Sequence, residues 1–172
     1  MSKEVINWTQ GDVMNQFISG NIAMMVNGPW QVPTMREQAP DLNWDVTLLP
    51  KDAENASCLG GENFGVIDGD NVDAALDFLQ FATSKDEVAS YIDDFGYIAA
   101  RKDVAEGQFT DDETMQKFTE EMQYAQPRGP HAQWPEISDA LSLAVNESIT
   151  GTSTPADAAA KAQSTIDGIL AE

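Results

Sequence analysis

The sequence predicts an α/β fold with helices in excess of strands. Three observations carry this. Helix-start boxes of the form S/T-x-x-D/E recur through the 172 residues. Apolar stripes at helical spacing fill most of the later part of the chain. Only a few short apolar runs, bounded by turn residues, read as buried strands.

The first box is Thr9-Gln-Gly-Asp12. Its hydroxyl can accept the N3 amide while the acid reaches back to the cap amide. A helix is expected from about Gln10 to Ser19, with Val13, Met14, Phe17 and Ile18 on one face and Gly20 just beyond its end. Ile22-Ala-Met-Met-Val26 reads as a buried strand, and Asn27-Gly28-Pro29 turns the chain. Pro29 can open a short helix that ends before Pro40. Trp44–Leu49 reads as a second strand, residues 51–61 as a loop, and Asn63–Ile67 as a third extended piece. A helix is expected over Val72–Ala82, with Val72, Ala75, Leu76, Leu79 and Ala82 in line and Phe78 and Phe81 widening the stripe.

The box Ser84-Lys-Asp-Glu87 opens a helix to about Asp94, which Gly96 ends. Thr110-Asp-Asp-Glu113 opens another, with Met115, Phe118 and Met122 in line. A long helix over about Pro135–Ile149 aligns Ile137, Leu141, Ala144, Val145 and Ser148. The last starts at the box Thr154-Pro-Ala-Asp157 and turns Ala158, Ala159, Ala162, Ile166, Ile169 and Leu170 inward. Pro127–Pro135, with three prolines and a glycine, is the clearest linker or hinge candidate.

Composition excludes several classes. There are 29 acidic residues against 9 Lys and Arg, for a net charge of −20. Nucleic acid and anionic membrane surfaces need clustered cations, so neither is an expected partner. No apolar run approaches the roughly 20 residues of a membrane span. The single cysteine, Cys58, excludes an internal disulfide and a cysteine-built zinc site. Met1-Ser2-Lys3-Glu4 lacks the basic start and apolar core of an export signal. Read literally the chain is cytosolic, and a chain beginning partway through a longer protein would look the same.

Little points to an enzyme. His131 is the one histidine and lies between prolines, far in sequence from Cys58. There is no G-x-S-x-G, P-loop or G-x-G-x-x-G, and among 29 acids close carboxylate pairs arise by chance. Asp68-Gly-Asp70-Asn-Val72-Asp73 begins like a calcium loop, but Val72 takes a ligand position and Leu79 stands where a Glu should close it. No metal and no cofactor is expected. Trp30 is more informative. It follows a buried strand and an Asn-Gly-Pro turn, where a ring serves either as edge packing or as a ligand platform. Trp8, Trp44 and Trp134 lack such context. Gly60-Gly61-Glu62-Asn63 pairs backbone that can approach a ligand closely with two polar side chains, though alone it reads only as a loop.

Taken together, the segments resemble the sugar-binding extracellular solute-binding proteins of ABC importers, in the maltose and multiple-sugar branch. Phe17-Ile-Ser-Gly-Asn-Ile-Ala-Met-Met-Val-Asn-Gly-Pro-Trp30 resembles the family's helix–strand–turn. Trp44-Asp-Val-Thr-Leu-Leu-Pro50, Gly60–Asn63 and Ala74–Leu79 follow in the family's order. Gly96-Tyr-Ile-Ala-Ala-Arg-Lys-Asp-Val104 resembles its G-Y-x-P-x-R-K-D pattern, with Ala99 in place of the proline, and Thr154–Ala159 resembles its terminal helix.

The resemblance implies a two-lobed periplasmic-binding-protein-like fold of which this chain is the C-terminal lobe, most of the N-terminal lobe being absent. Residues 1–61 would begin the C-terminal lobe, 62–105 would belong to the N-terminal lobe, and 106–172 would return as C-terminal-lobe helices. The implied function is capture of a sugar or oligosaccharide outside the cytoplasm, by a periplasmic or membrane-anchored protein, and its delivery to an ABC permease. This is a binding role, not an enzymatic one. Trp30 would be the stacking platform. Glu62 and Asn63, with the backbone of Gly60 and Gly61, would bond sugar hydroxyls. Arg101 would be either a further ligand residue or an ion-pair partner. The competing reading is an acidic helical interaction domain with no transport role. The apolar stripe at 72–82, with Ile92 and Phe95 close behind, leads us to expect a homodimer or larger assembly of this chain.

Overall fold

The structure is a computed structural model that describes residues 2–171. Met1, part of the export-signal reading, and Glu172 lie outside the described residues. The chain forms two compact units, one from Met1–Val13 with Arg128–Glu172 and the other from Met14–Pro127. The border falls at the start of the proline-rich stretch.

The first unit is built on a helical hairpin. α7 (Trp134–Thr150) packs along α8 (Pro155–Leu170). Gly151, in left-handed backbone, closes α7, and the Thr154 hydroxyl accepts the Asp157 amide to open α8. Ile137, Ala158, Ala162 and Ile169 are buried between the helices. The small alanines let the backbones approach, and Lys161 closes one side with a 2.7 Å ion pair to Glu147. The Lys3–Asn7 3-10 turn lies on α7, where the Lys3 ammonium donates to the Thr150 carbonyl at 2.8 Å.

The second unit holds α2 (Val32–Gln38), α3 (Val72–Ala82), α4 (Lys85–Tyr91), α5 (Lys102–Ala105) and α6 (Glu113–Glu121). α1 (Gln10–Ile18) leads into it, and Met14 on that helix is buried. Val88, Ala99 and Val104 form a buried cluster, with Ile92 and Ala105 packed against it. Val32, Met35 and Met115 are the other well-buried apolar side chains of these helices. The Arg36 guanidinium grips both Asp112 oxygens, at 2.7 and 2.8 Å, and so ties α2 to the start of α6.

Helices sit where their local signals place them. The Thr9–Asp12 box forms in both directions, at 3.2 and 2.8 Å. Ser84 accepts the Glu87 amide, and α3 spans the expected residues. One start differs. α6 is capped by Asp112, which accepts the Met115 amide, two residues beyond the expected Thr110. A carboxylate held by Arg36 is the better fixed acceptor.

Strands differ more. Ile22–Val26, Trp44–Leu49 and Asn63–Ile67 are unpaired, and Met24, Val26, Phe64 and Ile67 are exposed. The sheet is instead the parallel pair β1 (Ser57–Leu59) and β2 (Ala125–Pro127), with Ser57 opposite Ala125. β1 falls in the stretch read as a loop. An apolar run becomes a strand only where another backbone offers its ladder of donors and acceptors. One such group is met by a side chain, since Glu121 accepts the Leu49 amide at 3.2 Å. The result is a helix-rich chain with a minimal sheet. The apolar stripes of three helices are open in part. Leu76, Phe78 and Phe81 on α3, Leu141 and Val145 on α7, and Leu170 on α8 are all exposed.

Candidate functional site

The site grows from the turn at residues 27–31. The Asn27 side-chain oxygen accepts the Gly28 amide at 3.0 Å, which fixes the turn's entry. Pro29 then opens a 3-10 turn, Pro29–Gln31, at a position where its missing N–H costs nothing. This turn folds the Trp30 ring back over Gly28, and a Cβ at residue 28 would overlap the indole. Only a glycine lets the ring lie that close to the backbone.

A second segment meets the turn. Gly96 is in left-handed backbone at φ 67°, where an L side chain is strained. A Cβ there would also stand 2.9 Å from both the Pro29 carbonyl oxygen and the Pro33 ring. The next residue, Tyr97, sets its ring 5.9 Å from the Trp30 ring at a 34° tilt. Trp30 is 36% exposed and Tyr97 43%. The pair is thus packed on one side and open on the other.

The other expected residues lie as follows. Gly60, Gly61, Glu62 and Asn63 leave the end of β1 on exposed chain. The Arg101 guanidinium is engaged: it grips Asp103 at 3.0 and 2.8 Å and donates to the Thr83 carbonyl at 3.1 Å. Asp103 holds the Arg101 guanidinium above the ordinary arginine value, and Arg101 holds the Asp103 carboxyl below the ordinary aspartate value, each chiefly by their hydrogen bonds. Arg101 therefore ties the end of α3 to the start of α5. Trp8, Trp44 and Trp134 are half-buried.

Tyr97 and Gly28 are the residues that local sequence reasoning passed over. Gly96 read simply as the end of a helix. Its Gly-Tyr pair was legible as a motif, but nothing local ties it to Trp30. Among the described residues, no group of three or more His, Cys, Asp or Glu gathers to hold a metal, and no helix is long and apolar enough to cross a membrane.

An aromatic pair of this kind, carried on turns and braced by glycines, belongs to a binding surface more readily than to a reaction centre. Residues 2–117 match the family described as bacterial extracellular solute-binding protein, and the chain belongs to that family. It is also similar to proteins of Brucella abortus and Brucella suis, each named "Putative binding protein". They are 28% identical over 166 residues, covering 92% of this chain and 40% of each relative. The chain thus spans about two-fifths of the length of the curated relatives it matches.

Proposed function

We propose that this chain is the Trp30-bearing part of a solute-binding protein that captures a sugar or oligosaccharide for an ABC permease. The observation that supports it is the Trp30 ring, held over Gly28 and against Tyr97 with one side open. A pyranose presents axial C–H groups as a flat apolar face, and an immobile indole matches that face at little entropic cost. Glu62 and Asn63, with the exposed backbone of Gly60 and Gly61, supply hydroxyl partners. The clamp has a second half in this reading, the other lobe of the two-lobed fold. Ligand bridging the two lobes closes them by its differential affinity for the closed state.

The reading is tested by titrating maltose, cellobiose and trehalose into the chain while following tryptophan emission, with Trp30→Phe as the control. Half a clamp offers half the contacts, so we expect weak binding, in the millimolar range or above. The change in emission should vanish in the control. Emission unmoved by every sugar would overturn the reading. Release of free monosaccharide would replace it with a hydrolase.

A further inference from the structure

Resting on that reading of the site, we propose that Tyr97 is a second ligand-contacting residue. Its ring forms the other wall of the Trp30 corner, and its phenol hydroxyl supplies a directional hydrogen bond that the indole face cannot.

The first argument is geometric. At 5.9 Å and 34° the rings are neither face-stacked nor edge-to-face, and a large part of each remains open. If Tyr97 served only to brace Trp30, closer mutual burial would do so better. The second is chemical. Among the described residues no hydrogen bond occupies the Tyr97 hydroxyl. Tyr91 differs, directing its hydroxyl to the Ala82 carbonyl at 3.5 Å and its ring edge-on to Phe95. A phenol donates and accepts, whereas an indole only donates, so Tyr97 adds what a polyol needs beside a stacking face.

The third argument is preorganisation. The Tyr97 amide donates to the Ile92 carbonyl at 3.3 Å, and its carbonyl accepts the Gln108 side-chain amide at 3.1 Å. The same Gln108 side chain accepts the Ala99 amide at 2.7 Å and donates to Asp93. Gly96 donates to the Asp93 carbonyl at 2.9 Å and presses on Pro29 and Pro33. The backbone carrying Tyr97 is therefore pinned on both sides of the ring. A ring carried on so firmly held a backbone, with its hydroxyl unpartnered, has the arrangement of a recognition residue.

The test is aromatic carbon–proton NMR on the 172-residue chain, with the rings assigned through Trp30→Phe and Tyr97→Leu. Maltose, cellobiose and trehalose are each added to about 100 mM, enough to fill a site of about 10 mM affinity. We expect the Trp30 and Tyr97 signals to move along one binding curve with at least one sugar. We expect Tyr97→Phe, which keeps the ring, to weaken that binding about three- to tenfold, the effect of one hydrogen bond. Trp30 signals that move while Tyr97 stays still would overturn the proposal and leave the sugar-binding reading standing. So would unchanged affinity in Tyr97→Phe. If neither ring moves with any sugar, the reading and the proposal fall together.

Discussion

Replacing Gly96 by alanine separates two costs that usually come mixed. The first is backbone strain, because a Cβ in left-handed backbone costs about 1–2 kcal/mol. The second is space. At Gly96 the new methyl would meet the Pro29 carbonyl oxygen and the Pro33 ring at 2.9 Å. Neither neighbour is the loose end of a side chain, and forced overpacking of this kind costs about 1–3 kcal/mol. Against both stands the stiffer unfolded chain, which returns about 0.4–1 kcal/mol. The sum is a loss of about 1–5 kcal/mol, centred at about 3. Two further glycines of the same unit isolate the terms. Gly20 has φ 71° but nothing within 4 Å of its Cβ position, so Gly20→Ala reads strain alone, a loss of about 1 kcal/mol. Gly61 has neither feature, so Gly61→Ala should be neutral or slightly stabilising. Urea unfolding of all three variants, followed by circular dichroism and tryptophan emission, gives the ranking. If Gly96→Ala costs no more than Gly20→Ala, the close fit of residue 96 on the Pro29 turn is refuted, and the basis for a rigid Trp30–Tyr97 corner goes with it.

Three further outcomes are expected. In a protein carrying both lobes, Trp30→Ala should weaken sugar binding by about 1–3 kcal/mol with little change in melting temperature, and calorimetry showing unchanged affinity would count against the platform. Arg36 holds the Asp112 carboxyl below its ordinary value, chiefly through their hydrogen bonds, so the folded state is the weaker proton binder. The pair's contribution is then present above the ordinary aspartate range and lost as pH falls through the lowered folded value. Asp112→Asn should cost up to about 1 kcal/mol at pH 7, since the pair is half exposed. That difference should close as the pH falls through the lowered folded value, and a gap that persists once Asp112 is protonated in both states would exclude the linkage. Light scattering should show self-association through the α3 face, where Leu76, Phe78 and Phe81 are 51%, 64% and 58% exposed. Added salt should favour it by screening the charge of −20. A clean monomer with low binding of a hydrophobic dye would show that the face is tolerated in water.

What could be read from sequence divides along the range of the interactions involved. A helix is closed by bonds four residues apart, and its ends by side chains three residues apart, so α3 and the Thr9, Ser84 and Thr154 caps were legible. The cap of α6 moved because its competitor, Asp112, gains from Arg36, a residue far off in the chain. A strand has no such local closure. The apolar run Ile22–Val26 has the composition of a buried strand, yet Ser57–Leu59 is the segment that pairs, with a partner that begins at Ala125. Leu141 and Val145, in line with the buried Ile137 on α7, lie open for the same reason. Periodicity says which face is apolar, but not what is available to cover it. The candidate site we propose follows the same division. Trp30 was legible because its turn is local, and the glycine beneath its ring lies two residues away. Tyr97 was not, because its meaning comes from a ring brought beside it by Gly96 packing on Pro29. The two halves of the Trp30 corner differ in that respect alone. Sequence marks the residue that carries a flat apolar face, and only the fold marks the one that stands beside it.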